Sequence, residues 1–170
     1  SLNFKEKQWF EKIVVEKLDE SLIQNIDNTT FQIKYISDDK KFLAVKYLKK
    51  NVSISDIEKL KKISSNIIYF KAESSNLSND MIKSISNFEN LVKLEIQDNN
   101  INNESIEILQ SLNNLEILNI HNTKITSEVI EVLKNFKNLK RAYVWGTSIS
   151  KNEVDEFNRK DSKLKLIGGS

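Results

Sequence analysis

The side chains that could carry out acid-base or metal chemistry are few in this sequence. His121 is the single histidine, and there is no cysteine. A hydrolytic dyad or a zinc site needs further groups of the right type close to such a residue. The position of His121 in the repeat described below instead predicts an outward side chain on a sheet, which either contacts a partner or is simply solvated. We therefore expect no metal site.

Glycine and carboxylate patterns give no catalytic motif either. The only glycines are Gly146, Gly168 and Gly169, so a phosphate-binding loop, a dinucleotide fingerprint and a nucleophile elbow are all excluded. The pair Asp38-Asp39 stands next to two lysines in a predicted turn, where solvated charges are more common than an acid-base pair. We expect no enzyme activity and no cofactor.

Composition indicates one globular domain. The 170 residues are about the length of a single domain, and 26 basic and 24 acidic residues give a net charge of +2. These charges are mixed along the chain, so we expect no nucleic-acid partner. Apolar runs such as Ile13-Val14-Val15 are too short to span a bilayer. We expect no direct membrane insertion by this segment; any targeting signal or membrane anchor would lie upstream of Ser1.

An internal repeat organises most of the chain. Four segments recur every 24 residues and are Asn66 to Ala72, Asn90 to Ile96, Asn114 to Ile120 and Asn138 to Val144. Each is followed by a polar residue, namely Ser75, Asn99, Thr123 or Thr147, and then by an apolar one, namely Leu77, Ile101, Ile125 or Ile149. Alternate residues of a short strand would point inward, and the polar side chain would bond backbone groups where the chain leaves the strand.

The second half of each unit has a helical pattern. Apolar residues three apart form one face and are Ile82, Ile85 and Phe88; Ile106, Leu109 and Leu112; and Ile130, Leu133 and Phe136. Before each helix, and before a last one, stands a residue suited to the N-cap, namely Ser78, Asn102, Thr126 or Ser150. Strand and helix therefore alternate, and stacked units would bury one continuous core.

The ends of the array differ from its middle. With a 25-residue offset, Phe42, Val45 and Tyr47 begin a degenerate first repeat. Ahead of it we expect an amphipathic helix from Phe4 to Leu22 and a strand at Phe31 to Tyr35. The predicted organisation is an N-terminal cap at 1–41, about five repeats at 42–160, and a closing strand with a flexible tail at 161–170. The first repeat continues through Val52, the cap Ser53 and the helix positions Ile57, Leu60 and Ile63.

This pattern resembles that of leucine-rich-repeat proteins over residues 42 to 160. The resemblance implies an α/β solenoid of 24-residue strand-helix units with a helical N-terminal cap. More narrowly, the stretches Phe31 to Tyr47, Leu115 to Thr126 and Tyr143 to Ile149 are similar to the C-terminal repeat region of Bacteroidetes-like membrane proteins that carry an upstream c-type cytochrome domain. That family would place the domain in the periplasm or cell envelope. Its haem-binding motif is absent here, so no haem chemistry carries over.

Outward strand positions form columns because the repeat length is constant. The candidate partner-binding residues in these columns are Tyr69, Lys71, Lys93, Glu95, Gln97, Asn119, His121, Arg141, Tyr143 and Trp145. Arg141, Tyr143 and Trp145 are predicted to lie together, and these residue types are enriched in binding hot spots. Alternatively, Trp145 shields the C-terminal end of the solenoid.

The sequence thus predicts a non-catalytic protein-protein interaction module that uses the concave strand face. An alternative is a module that binds carbohydrate or another cell-envelope polymer through Tyr143 and Trp145, since a Tyr-x-Trp pair on a sheet can stack on sugar. A third possibility is an accessory domain of a membrane cytochrome enzyme.

Overall fold

A computed structural model describes residues 12–169 and shows strands alternating with helices. In chain order the elements are α1 (Glu20–Gln24), β1 (Phe31–Tyr35), β2 (Leu43–Tyr47), α2 (Ile54–Glu58), a 3-10 helix (Lys61–Asn66), β3 (Ile67–Lys71), α3 (Asn79–Ile85), β4 (Lys93–Glu95), α4 (Asn103–Leu109), β5 (Ile117–Asn119), α5 (Val129–Lys134), β6 (Arg141–Tyr143), α6 (Lys151–Lys160) and β7 (Lys165–Ile167). No helix in this part of the chain is long and apolar enough to cross a membrane.

The strands form one seven-stranded sheet in the order β1 to β7. Strand β1 pairs antiparallel with β2, and every later pair is parallel. From β3 onward each residue faces its counterpart one unit along, as in Tyr69 with Lys93, Lys93 with Ile117, and Arg141 with Lys165. This is the α/β arrangement of a leucine-rich-repeat-like solenoid, as the sequence pattern predicted. The predicted strands at Phe31 to Tyr35 and at the C-terminus are both present.

A register shift between β2 and β3 explains why the first repeat is offset from the second by 25 residues when the later ones are 24 apart. Leu43 pairs with Ile67, but Ala44 pairs with Tyr69, so Ile68 is the extra residue between them. Such a bulge inserts one residue without breaking the ladder on either side. The inward alternation resumes at once, because Val45 and Phe70 are paired and both are buried.

The core lies between the sheet and the helices. Inward strand residues such as Phe70, Leu94, Leu118, Ala142 and Leu166 are at most 1% exposed. Burial of a leucine or phenylalanine side chain contributes roughly 1.5–3 kcal/mol. Because each unit adds one such residue to the same column, the core is continuous from the second strand to the last.

Shortly after each of strands β3 to β6, one residue at the same place in the unit has a left-handed backbone conformation. Ser74, Asp98, Asn122 and Gly146 have φ angles of 50°, 57°, 51° and 60°. Asp, Asn and Gly tolerate this conformation better than most residues. The turn that follows each of these strands therefore has the same backbone conformation in successive units.

Buried polar residues bind the backbone at these turns, as predicted. The Asn99 amide oxygen accepts hydrogen bonds from the N–H groups of Ser75 and Leu77, both at 3.0 Å. Its amide nitrogen donates to the carbonyls of Ala72, Ile96 and Gln97 at 2.8 to 3.0 Å. Asn99 thereby ties its own turn to the preceding one. The threonines at the corresponding positions, Thr123 and Thr147, each donate to a single carbonyl within their own unit.

A second set of asparagines connects neighbouring units on the other side of the strands. The Asn66, Asn90, Asn114 and Asn138 side chains donate to the carbonyls of Lys41, Ser65, Glu89 and Asn113, respectively. In every case the acceptor lies 25 residues earlier. These residues recur in the sequence as the first position of each repeat segment, and the structure supplies the physical reason.

The residues observed at the helix N-caps agree only in part with the predicted ones. Ser150 forms a full capping box with Glu153, while Ser78 and Asn102 occupy the N-cap without a side-chain bond. The prediction for Thr126 was wrong, because α5 begins later, after Glu128. Thr126 instead donates its backbone N–H to the Asn103 side chain.

The late start of α5 also changes its buried face. Ile82, Ile85 and Phe88 are buried as predicted, as are Ile106, Leu109 and Leu112. In the third set, Leu133 and Phe136 are also buried as predicted, but Val129 is buried in place of Ile130, which is only partly buried. A shorter helix turns a different residue inward.

The predicted helix from Phe4 to Leu22 is wrong at residues 12–19, and of its described residues only 20–22 are helical. Residues 13–18 are not helical, and a helix starts only at Glu20, where Asp19 accepts a bond from the Ser21 N–H at 2.9 Å. The segment has no regular secondary structure, and Ile13 and Val15 lie against an apolar cluster while Val14 is 95% exposed. The rest of the predicted helix, including Trp9 and Phe10, lies outside the described residues. The cluster beneath the segment consists of Phe42, Ile68 and Val92, with Ile36 at its border.

Candidate functional site

The strand face is the side of the sheet opposite the helices, and it carries the outward side chains of β3 to β7. Its residues occur in three columns because the strands are in register. The first column is Tyr69, Lys93, Ile117, Arg141 and Lys165, the second is Lys71, Glu95, Asn119, Tyr143 and Ile167, and the third is Glu73, Gln97, His121 and Trp145. The face divides into two parts that differ in how far their polar groups are already paired.

The first part is an ionic cluster of Tyr69, Lys71, Glu73, Lys93 and Glu95. The Glu95 carboxylate is 2.8 Å from Lys93 Nζ and 3.4 Å from Lys71 Nζ, and it accepts a 2.9 Å hydrogen bond from the Tyr69 hydroxyl. Lys71 also lies 2.7 Å from Glu73, and the Lys93 ammonium stands 4.7 Å from the centre of the Tyr69 ring. The cluster is therefore satisfied internally.

The pKa values of its carboxyl groups reflect this pairing. Burial by itself would raise the pKa of Glu95, but the hydrogen bonds and charges of Lys93, Tyr69 and Lys71 outweigh it and lower that pKa. The hydrogen bond from Lys71 is the main reason why the pKa of Glu73 is lowered as well. Both groups are ionised at neutral pH and hold their lysines in place.

The second part is an aromatic end formed by Arg141, Tyr143, Trp145 and Lys165. The Tyr143 and Trp145 rings are 5.5 Å apart at an interplanar angle of 32°. His121 approaches the indole edge-on at 6.5 Å. Trp145 remains 46% exposed, so these rings form an accessible apolar surface held in one arrangement by neighbouring aromatic groups.

The C-terminal segment supports the Trp145 ring from one side. Gly168 lies so close that a Cβ atom there would be 2.7 Å from both Cγ and the backbone nitrogen of Trp145. Gly168 also has φ +117°, a conformation that L side chains rarely adopt. Trp145 does not lie at the end of the stack, because β7 pairs with β6 beyond it. Its ring thus contacts the tail while leaving almost half of its surface open.

His121 belongs to a small polar network beside the aromatic end. Its Nε2 is 3.3 Å from the Asp98 carboxylate and its Nδ1 is 3.0 Å from the Asn119 side-chain oxygen. Asp98 also accepts a 2.6 Å hydrogen bond from the Asn122 amide. This arrangement orients the imidazole, but no serine or other nucleophile in the described part of the chain is bonded to it. Among residues 12–169 no group of three or more His, Asp or Glu could hold a metal ion.

Arg141 and Lys165 differ from the lysines of the ionic cluster. They are register partners on β6 and β7, and both are exposed. No acidic side chain among the described residues forms an ion pair with either of them. The nearby Glu116 is taken by Lys140 at 2.8 Å. Two basic groups on this face are consequently available to a partner.

The structure places the sequence-predicted residues on one face but does not make them equivalent. Tyr69, Lys71, Lys93 and Glu95 bind one another, whereas Arg141, Tyr143 and Trp145 do lie together. Gln97 is 3% exposed and so offers little surface to a partner; its side-chain oxygen has no hydrogen-bond partner among the described residues. Lys165 was not among the predicted residues, although extending the first column by one more unit from Arg141 would have found it.

Comparison with known proteins adds little. No protein-family model matches the chain, and no curated protein sequence matches it. Among solved structures, the chain is similar to the crystal structure of an internalin (inlF) from Listeria monocytogenes, with 20% sequence identity and a TM-score of 0.48 over 68% of this chain. The chain spans only 38% of the length of that internalin.

Proposed function

We propose that this domain is a non-catalytic protein-protein interaction module that binds its partner through the aromatic end of the strand face. The observation that carries the proposal is the ring pair of half-buried Tyr143 and exposed Trp145 next to Arg141, placed on β6 and the turn that follows it. Aromatic and arginine side chains dominate binding energy at protein interfaces. Because β6 and the turn after it already hold these side chains, little ordering entropy is lost on association.

A pull-down from extract of the producing cells tests this proposal. Changing Tyr143 and Trp145 together to alanine should abolish retention of a partner by the immobilised domain. The matched control changes Leu48 and Ile54, which are 46% and 45% exposed but lie outside the strand face, to alanine. Retention that is lost equally in both variants, or in neither, would refute binding at the aromatic end. Circular dichroism should show that both variants are folded.

Carbohydrate binding is a second candidate function, favoured by the same ring pair and by the polar groups of His121, Asp98 and Asn119 around it. Sugar rings stack on exposed aromatic faces while their hydroxyls bond such groups. In a Trp9→Phe background, titration with cell-wall oligosaccharides would quench Trp145 fluorescence if this function were correct. A protein partner predicts no such change.

We also propose a role for each of three segments of the chain. Residues 1–41 cap the first repeat, 42–160 form the repeats, and 161–170 close the array; the antiparallel pairing of β1 and the burial of Phe31 support the first of these assignments. From the resemblance of Phe31 to Tyr47 and Tyr143 to Ile149 to cytochrome-linked repeat proteins, we propose a periplasmic or envelope location. A reading frame without an upstream Cys-x-x-Cys-His motif and membrane spans would remove that support.

A further inference from the structure

The charges of the strand face are distributed unevenly, and this asymmetry bears on the partner's chemistry. In the ionic cluster, Lys71 and Lys93 are neutralised by Glu73 and Glu95 at 2.7 to 3.4 Å. A partner's carboxylate would have to displace these existing contacts to bind there. The cluster is therefore a poor site for further ionic recognition.

The aromatic end has the opposite property. Arg141 and Lys165 are exposed neighbours on paired strands, about 4.8 Å apart in backbone position, and neither has an acidic partner among residues 12–169. Carboxylates of the preceding units are occupied: Glu116 is bound by Lys140, and Asp98 is bound by Asn122 and His121. An uncompensated positive pair therefore lies beside half-buried Tyr143 and the exposed ring of Trp145.

We propose that the partner segment is acidic and carries an aromatic or other large apolar residue. This inference rests on the proposed function and specifies the partner of that same site. A carboxylate of the partner accepts paired hydrogen bonds from the Arg141 guanidinium, and a second one meets the Lys165 ammonium. The apolar residue packs against Tyr143 and Trp145. Attraction between these charges raises the association rate and selects against basic segments.

A random library of twelve-residue peptides, selected on the whole domain, provides the probe. We expect the enriched sequences to contain an excess of Asp and Glu together with Trp, Phe or Leu. A fluorescein-labelled enriched peptide should then bind in solution, and raising the salt concentration from 50 to about 500 mM should weaken its binding, because charges on an exposed face are screened by ions.

Charge reversal locates the binding groups. Arg141→Glu combined with Lys165→Glu should weaken binding of the acidic peptide at least tenfold. The matched control, Lys62→Glu with Lys137→Glu, makes the same change in net charge at two exposed lysines that have no ion pair among the described residues and lie outside the sheet. This control should leave the affinity within about twofold of the parent, because distant exposed charges are screened.

The outcomes separate this inference from the function on which it rests. Enriched peptides that are neutral or basic, yet lose binding on Tyr143→Ala or Trp145→Ala, would overturn the acidic partner and leave the interaction site intact. An acidic peptide that is equally sensitive to the control variant would also overturn it. If no peptide is enriched, or if the enriched peptides bind all strand-face variants equally, both proposals fail.

Discussion

At the scale of single residues, Glu95 determines whether the lysines of the strand face are available. Its carboxylate is 14% exposed and contacts Lys93, Lys71 and Tyr69 at once. Charge-assisted hydrogen bonds of this kind are shorter and stronger than neutral ones. A single carboxylate thus turns two cations and a phenol into one self-contained cluster.

The pairing of Glu95 gives a pH-dependent prediction. Since its pKa in the folded state is lowered below the ordinary glutamate value of 4.5, the ionised group stabilises the fold above pH 4.5, and this contribution is lost as pH falls through the lower, folded pKa. Glu95→Gln should therefore reduce the free energy of unfolding by about 1–2 kcal/mol at pH 7. Below the folded pKa the difference from wild type should nearly vanish.

Urea unfolding of both proteins at pH 7, 4.5 and 3 measures this effect. The same substitution at Glu104, an exposed residue that accepts a bond from Asn79, serves as a control for loss of one carboxylate charge. A difference between wild type and Glu95→Gln that is constant with pH would mean that the cluster does not depend on ionised Glu95.

Residue types alone could predict which side chains occupy the strand face but not which of them remain available. The spacing of Arg141, Tyr143 and Trp145 placed them together correctly, since a constant repeat aligns equivalent positions. Whether a lysine is paired depends on the rotamers of its neighbours in other units, which no repeat pattern encodes. This is why Lys71 and Arg141 looked alike in sequence and differ in the structure.

At the scale of elements, the N-terminal segment shows where sequence reasoning failed. Ile13, Val14 and Leu18 fit one helical face, but Ile13 and Val15 also alternate with Val14, which is the period of an extended chain. The apolar cluster of Phe42 and Ile68 offers a surface for the extended form. Which of the two periods the segment follows is decided by packing against this cluster, whose residues lie far along the chain.

The tail after β7 is an element whose conformation controls the aromatic end. Gly168→Ala would place a methyl group 2.7 Å from the Trp145 ring and backbone, at a φ angle of +117°. The backbone cannot yield as a flexible side chain could, so the tail should detach. We expect a loss of about 1–3 kcal/mol in stability and a red shift of Trp145 emission in a Trp9→Phe background.

Gly146→Asn provides the matched control for this substitution. Gly146 has φ +60°, and an added Cβ would meet Asn122 at ordinary contact distances from 3.4 Å. Asn122 itself adopts φ 51° in the preceding unit, so asparagine fits this backbone. The emission spectrum of the Gly146→Asn variant should match that of the parent. Unchanged emission in Gly168→Ala would show that the tail does not hold the indole.

At the scale of the whole molecule, the solenoid is nearly one-dimensional. Each unit contacts mainly its neighbours, and stability is close to a sum of unit and interface contributions. The asparagines that donate 25 residues back, such as Asn90 and Asn114, bond only to adjacent units. An end unit therefore has fewer contacts than a central one, and the proposed binding surface, the aromatic end, lies next to the C-terminal end.

Two equivalent leucines test this description. Leu94 and Leu166 occupy the same core column on β4 and β7, and they are 0% and 1% exposed. Replacing either by alanine removes about 2–5 kcal/mol of packing. Leu94→Ala should accelerate amide hydrogen exchange throughout the sheet, because it weakens the interfaces on both of its sides. Leu166→Ala should accelerate exchange only in β6, α6 and β7.

Peptide-resolved hydrogen exchange at pH 7 distinguishes these patterns. If the amides of β2 to β5 exchange at unchanged rates in Leu166→Ala, the C-terminal units open independently of the rest. Binding of a partner at Arg141 and Trp145 should then suppress this opening, since a ligand that binds only the closed form stabilises it. If Leu166→Ala instead accelerates exchange from β2 onward, the molecule unfolds as one cooperative unit despite its repeats.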